Sequence, residues 1–257
     1  MEGFCPLASG SKGNCLYLGS KKTKILIDAG ISGKATKTKL AQLDVDFKDI
    51  DAILITHEHG DHIYGLKVLA LQHNIPILCN SETAKGIYSI LRDCPKFKIF
   101  TTGEPFEFGD LEINPFSIPH DTMDPVGFTI KVDGLKLGIC ADLGFATALV
   151  EHQLQKCDYL YLESNHEISH VMACRRPPTY KNRVLGRNGH LSNEACGNLL
   201  AKLIHENLKH TYLAHLSSEC NSPETALKIV GEILKKNGVD VTLSIAPQES
   251  LAQTILF

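Results

Sequence analysis

No apolar run in this chain approaches the roughly 20 residues needed to span a bilayer, so no transmembrane helix and no membrane partner are expected. The opening Met1-Glu2-Gly3-Phe4-Cys5 lacks a basic stretch followed by an apolar one, and no secretory signal is expected either. There is no C-x-x-C pair, although the chain holds nine cysteines, an odd count. Cys79, Cys140 and Cys157 lie in apolar surroundings and read as small core residues rather than disulfide halves or metal ligands. A reducing cytoplasm is the expected setting. An excess of positive charge is missing too: the net charge of −3 excludes a globally basic nucleic-acid binder but leaves room for a local basic patch. No low-complexity tract or short-period repeat occurs. Neither a Ser-His-Asp arrangement nor a phosphate-binding P-loop offers a rival chemistry.

What is present is concentrated in Ile53-Leu54-Ile55-Thr56-His57-Glu58-His59-Gly60-Asp61-His62. Three imidazoles and an aspartate follow directly on a short apolar, β-branched run. If the segment stays extended, His57, His59 and Asp61 project to one side, and Gly60 lets the chain turn to bring His62 beside them. Nitrogen and oxygen donors gathered this way suit a transition metal such as zinc. A histidine-rich surface loop is the plainer alternative. The spacing favours metal, because it leaves two ligands for one ion and two for a neighbour.

A length of 257 residues allows a large core, most naturally in one domain over 1–257 or in two closely fused halves. Strands are predicted over 4–8, 15–18, 24–27, 50–55 and 75–79, and two more within 106–118 around Gly109-Asp110. Helices are predicted over 34–43 and 63–73, with another starting at Ser81 as N-cap. The second half repeats the theme. A hairpin spans 127–132 and 135–140, strands follow at 159–162, 211–214 and 241–245, and helices at 147–155, 193–207 and 223–236. This alternation predicts an α/β protein with two sheets face to face and helices outside.

Catalysis by two ions needs more ligands than one motif supplies, and three polar residues sit where apolar strands end. His120 follows Phe116-Ser117-Ile118-Pro119, Asp142 follows Leu137-Gly138-Ile139-Cys140-Ala141, and His215 follows Tyr212-Leu213-Ala214. Strand ends are the usual place for functional groups in layered α/β proteins. The expected assignment puts His57, His59 and His120 on one divalent ion, Asp61, His62 and His215 on another, and Asp142 between them. Two ions about 3.5–4 Å apart share a water of lowered pKa, giving a hydroxide that attacks an ester in line. Zinc suits the donors, with manganese or iron also acceptable. Asp61 and His190 are the candidate catalytic groups. His190, in Gly189-His190-Leu191-Ser192-Asn193, precedes a helix start and reads as general acid or scissile-phosphate contact; the alternative is a capping segment with a solvent-facing histidine. Asn165 and His166 follow another strand end and are expected to line the pocket.

The array His-x-His-x-Asp-His followed by His120, Asp142 and His215 resembles the metallo-β-lactamase superfamily over nearly the whole chain. That resemblance implies a four-layered αβ/βα sandwich with a dinuclear site at its rim. The segments Ala141-Asp142-Leu143-Gly144, Gly189-His190-Leu191-Ser192 and Ala214-His215-Leu216-Ser217 look like the phosphodiesterase branch. Further matches are Ala8-Ser9-Gly10-Ser11-Lys12-Gly13-Asn14, Ile25-Leu26-Ile27-Asp28-Ala29-Gly30, Pro119-His120-Asp121 and Glu163-Ser164-Asn165-His166. Taken together they resemble the YycJ/WalJ family of bacterial nucleases, which implies 5′→3′ exonuclease activity on DNA and a link to mismatch repair. Residues 170–178 fit that family only loosely.

A polyanionic substrate has independent support. Arg175, Arg176, Lys181, Arg183 and Arg187 occur with no acidic residue between Glu167 and Glu194. Pro177-Pro178 and Tyr180 suggest an exposed loop there, with the tyrosine available to stack on a base. The plainer reading is a solvated basic loop. Lys12 adds a candidate phosphate contact. The expected function is metal-dependent phosphodiester hydrolysis of DNA, single-stranded or with a free 5′ end. The alternatives are a phosphodiesterase for small cyclic substrates and a weakly active nucleic-acid-binding metalloprotein.

Overall fold

The computed structural model describes residues 1–257. In chain order the strands are β1 (Gly3–Ala8), β2 (Cys15–Gly19), β3 (Lys24–Ile27), β4 (Ala52–Leu54), β5 (Ile77–Cys79), β6 (Phe97–Ile99), β7 (Phe106–Phe108), β8 (Leu111–Ser117), β9 (Val126–Val132), β10 (Leu135–Cys140), β11 (Tyr159–Glu163), β12 (His210–Ala214), β13 (Thr242–Ile245) and β14 (Ile255–Leu256). The helices are α1 (Gly33–Ala41), α2 (Gly60–Ile63), α3 (Ser81–Leu91), α4 (Ala148–Leu154), α5 (Ile168–Ala173), α6 (Pro178–Leu185), α7 (Asn193–Leu203) and α8 (Pro223–Lys236). Two seven-stranded sheets result, ordered β14-β1-β2-β3-β4-β5-β6 and β13-β12-β11-β10-β9-β8-β7.

Strand alternation explains the layering. Leu16, Leu18, Ile25, Ile27 and Leu54 meet Phe128, Ile130, Tyr161 and Tyr212 between the sheets. Their neighbours Tyr17, Leu26 and Ile53 point the other way, onto Leu40 of α1 and Ile87 of α3. Leu160, Leu162 and Leu213 likewise leave the second sheet to meet Val150 of α4, Leu199 of α7 and Val230 of α8. Central strands therefore need apolar side chains on both faces, which is why they read as unbroken apolar runs. Each such burial contributes roughly 1.5–3 kcal/mol. The order of layers is helix, sheet, sheet, helix, the αβ/βα sandwich expected.

Several local expectations need correction. Asn80, not Ser81, caps α3, its side chain accepting from Thr83 N. The helix expected over 63–73 instead starts at Gly60, ends at Ile63, and resumes as a wide π-type turn at Lys67–Gln72. Gly65 explains the interruption: its N–H leaves the helix to donate to Ala29 O at 2.7 Å. Helix α7 stops at Leu203 rather than 207, because Ile204 is extended and His205 turns back to the carbonyl of Cys157. The supposed loop around Pro177-Pro178 is mostly helix α6, with Pro178 at its first position, where a missing N–H costs nothing. Strands β6 and β14 and helix α5 had no clear sequence signal.

Candidate metal centre

The polar side chains singled out by sequence converge where strands of both sheets end. His57 follows β4, His120 follows β8, Asp142 follows β10 and His215 follows β12. Asp28, beyond β3, Asp142 and His215 all adopt left-handed backbone, at φ of 60°, 55° and 53°. Such conformations cost non-glycine residues of order 1 kcal/mol each and persist where packing over-determines them. Here the sharp turn takes each side chain out of the sheet and into the shared space.

The motif itself does not stay extended. His59 is the N-cap of α2, and Asp61 and His62 lie on its first turn. Alternation therefore unites His57 with His59 only; Asp61 and His62 arrive by helical rotation. The chain does turn at Gly60, the first residue of α2, but Gly60 is not left-handed and a Cβ there would meet nothing within 4 Å, so the turn needs no glycine. Gly30 is the glycine the site requires: a Cβ on it would lie 1.6 Å from Asp61 O.

Four donor sets each have all ligand atoms within 4.8 Å of one another: His57-His59-His120, Asp61-His62-His215, His57-His62-Asp142, and Asp142-Glu163-His190-His215. The first two are the trios expected from sequence, and Asp142 touches both regions, 3.7 Å from His120 Nε2 and 3.0 Å from His62 Nε2. Further polar groups orient these side chains, and sequence reasoning assigned them no role. Asp28 Oδ2 accepts from His62 Nδ1 at 2.8 Å and also holds the Thr56 hydroxyl. Gly189 O accepts from His120 Nδ1. Glu163 Oε1 accepts from both His190 Nδ1 and His215 Nδ1, at 2.8 and 2.9 Å, while its Oε2 takes the N–H groups of Leu143 and Leu191. The signal for Asp28 and Glu163 was present, since both sit at strand ends.

The electrostatics are divided. Burial, then the nearby His62, push His57 well below the ordinary histidine range. Burial also lowers His59 and His120. Burial works against charge on His62 and His215 as well, but carboxylates outweigh it. Asp28 and Asp142 raise His62 well above its ordinary value, and Asp142, Asp61 and Glu163 raise His215 to about 10. Glu163 is correspondingly held down to about 2: burial opposes this, and His190 and His215 override it.

A cation fits this donor set. His57 Nε2, His215 Nε2 and Asp142 Oδ2 are buried with no aligned hydrogen-bond partner. Orphaned buried polar atoms cost about 1–3 kcal/mol apiece and are rare in proteins, so three in one cluster call for a ligand. Imidazole and carboxylate together match zinc, manganese or iron.

The expected substrate contacts fare unevenly. Arg183 reaches the centre's edge: its guanidinium pairs with Asp121 at 2.7 and 3.2 Å, and Asp121 lies 3.4 Å from His120 Nε2. Arg176 pairs with Glu219 and lies over the Tyr180 ring, which packs against a small core of Val171, Val184 and Cys220. Tyr180 is thus not an open stacking platform. Lys181 donates to Met172 O, and Arg187 lies 4.4 Å above the Phe145 ring. Arg175 is exposed. Lys12 faces Glu249 at 3.4 Å. Asn165 and His166 are buried rather than lining an open pocket; Asn165 Nδ2 donates to His215 O at 2.7 Å.

Comparison with known proteins matches this architecture. Residues 23–215 fit the Beta-lactamase superfamily domain, and the fold resembles the metallo-β-lactamase fold protein YhfI of Bacillus subtilis (TM-score 0.73, 16% identity, 97% of each chain). The chain is a metal-dependent hydrolase by fold and site. Within the superfamily it belongs to the YycJ/WalJ exodeoxyribonuclease family. It is 36% identical to Exodeoxyribonuclease YycJ of Bacillus anthracis and 34% identical to Exodeoxyribonuclease WalJ of Streptococcus pneumoniae, each match covering 93% of this chain and 91% of the relative.

Proposed function

We propose that the protein is a 5′→3′ exonuclease acting on single-stranded DNA or on DNA ends. The observation that carries this is the convergence of seven donors, three with unpartnered buried atoms, in a chain whose relatives are named exodeoxyribonucleases. In this reading His57, His59 and His120 hold one divalent cation, Asp61, His62 and His215 hold a second, and Asp142 serves both. Zinc is the favoured ion, with manganese and iron the competitors. Bound there, two cations would polarise a phosphoryl oxygen and supply a water-derived nucleophile near neutral pH.

The chain's own residues do the rest. Asp28 and Glu163 take the Nδ1 protons of His62 and His215, which leaves each Nε2 as the donor atom. Asn165 anchors the His215 carbonyl, so its role is indirect. His190, with Nδ1 committed to Glu163, keeps its other nitrogen to protonate the departing sugar oxygen as general acid. Residues 175–187, helix α6 with its flanks, form a basic arm, and Arg183 is its cation best placed to meet a phosphate, because its partner Asp121 borders the first trio. A cytoplasmic setting belongs to the same reading and is supported by nine free thiols, most of them buried.

Oligonucleotides labelled at the 5′ or 3′ end, incubated with each metal in turn, test the proposal. Labelled mononucleotide is expected at the earliest times from the 5′-labelled strand, and a ladder from the 3′-labelled one. The reverse pattern overturns the polarity, and turnover of a small cyclic diester alone overturns the substrate.

A further inference from the structure

A cleft of about 580 Å³ opens beside the metal centre and takes no part in the mechanism above. Lys12, Leu216, Ser218, Ile245 and Ser250 are among its walls, and its floor is Ser9. It borders the second trio through the backbone of His215. Ser9 Oγ accepts from His215 N at 2.8 Å, and Leu216 is the next residue in the chain. The loop carrying Lys12 continues to Asn14, whose Nδ2 is 3.0 Å from His62 Nε2 and 3.4 Å from Asp61 Oδ2. Gln248 pins that loop, accepting from Lys12 N and donating to Gly13 O, both at 2.9 Å. A Cβ on Gly10 would run into the same glutamine at 2.5 Å, so the wall is closely fitted.

Size and chemistry select the occupant. Small-molecule sites usually run about 300–1,000 Å³, so this volume is of the size for one nucleotide. Leu216 and Ile245 give an apolar side for a base or sugar, and Ser218, Ser250 and Lys12 give hydroxyls and a cation for a phosphate. The only carboxylate in the walls, Glu249, is faced by Lys12. Helix α6 and its flanks follow on: Arg176 pairs with Glu219, the neighbour of Ser218, and Arg183 reaches Asp121 at the far trio.

We infer that this cleft receives the terminal nucleotide of the strand, while the basic arm carries the phosphates that follow. It acts as an end stop, which makes the enzyme count from a terminus instead of cutting internally. The inference rests on the exonuclease reading, and its test separates the two.

Ser218→Trp and Ser250→Trp each fill the cleft from an exposed position and leave the metal donors untouched. Thymidine 5′-monophosphate titrated into metal-free protein, followed by NMR, should bind the parent and bind each variant about tenfold more weakly. With metal restored, the ratio of kcat/KM for an oligonucleotide to that for bis(p-nitrophenyl) phosphate should fall about tenfold in both variants. Unchanged nucleotide binding and an unchanged ratio in both variants would overturn the cleft. So would an equal loss on both substrates, which would mean damage passed to the metal centre. A parent protein that binds the nucleotide but never degrades DNA would sink the exonuclease reading and leave the cleft standing.

Discussion

Glu163 accepts a hydrogen bond from His190 Nδ1 at 2.8 Å, through the same oxygen that holds His215. One buried carboxylate therefore sets the ring orientation of a candidate ligand and of the candidate proton donor. If His190 protonates the leaving group, its importance depends on how poor that group is. For His190→Ala, kcat on an oligonucleotide should fall about 10²–10⁴-fold. Loss on bis(p-nitrophenyl) phosphate should be far smaller, because nitrophenolate departs without a proton. Equal losses on the two substrates would rule out the general-acid role.

Metal loading should be strongly proton-linked. His62 and His215 are held charged by their carboxylate neighbours in the metal-free protein, yet each must lose a proton before its nitrogen can coordinate. Titration calorimetry in buffers of different ionisation enthalpy should report release of about two protons per fully loaded chain near pH 7. Release of none would contradict the charge division described above. Asp142→Ala should abolish retention of at least one ion, read by elemental analysis.

The two glycines near Asp61 should behave oppositely. Gly30→Ala puts a methyl group into Asp61 O and should destabilise the protein by about 3 kcal/mol or more, with loss of bound metal. Gly60→Ala places the same group in open space at a helix start, so its stability should stay within about 1 kcal/mol of the parent. Denaturant melts of both variants, with metal content measured alongside, decide the matter.

His166 makes stability acid-sensitive. Burial lowers it to about 4 from an ordinary value of 6.5, so the unfolded chain takes up the proton first as pH falls. Its contribution is therefore complete above pH 6.5 and is lost progressively as pH drops through about 4. The full loss is on the order of 3 kcal/mol. His166→Gln should flatten the fall in unfolding free energy between pH 7 and 5; an unchanged slope would show that other groups dominate.

Much of this was readable from the chain alone. The apolar strands, the histidine motif, and the ligand types at strand ends are written in local patterns, since a doubly buried strand needs apolar residues throughout and must end where a polar one begins. The segment 175–187 was harder. Its charges were plain, but paired prolines read as a break, and only packing of Val184 and Tyr180 on Cys220 decided that a helix forms there.

The sequence by itself determined which atoms are able to bind metal and roughly where each leaves the core. Tertiary structure alone decided how they are held: that Asp28 turns His62, that Glu163 serves two rings, that Gly30 rather than Gly60 yields to Asp61, and that most arm cations already have partners. Most of these pairings join residues tens of positions apart. No local pattern of propensity or periodicity encodes them, because they depend on where folding brings the ends of separate strands.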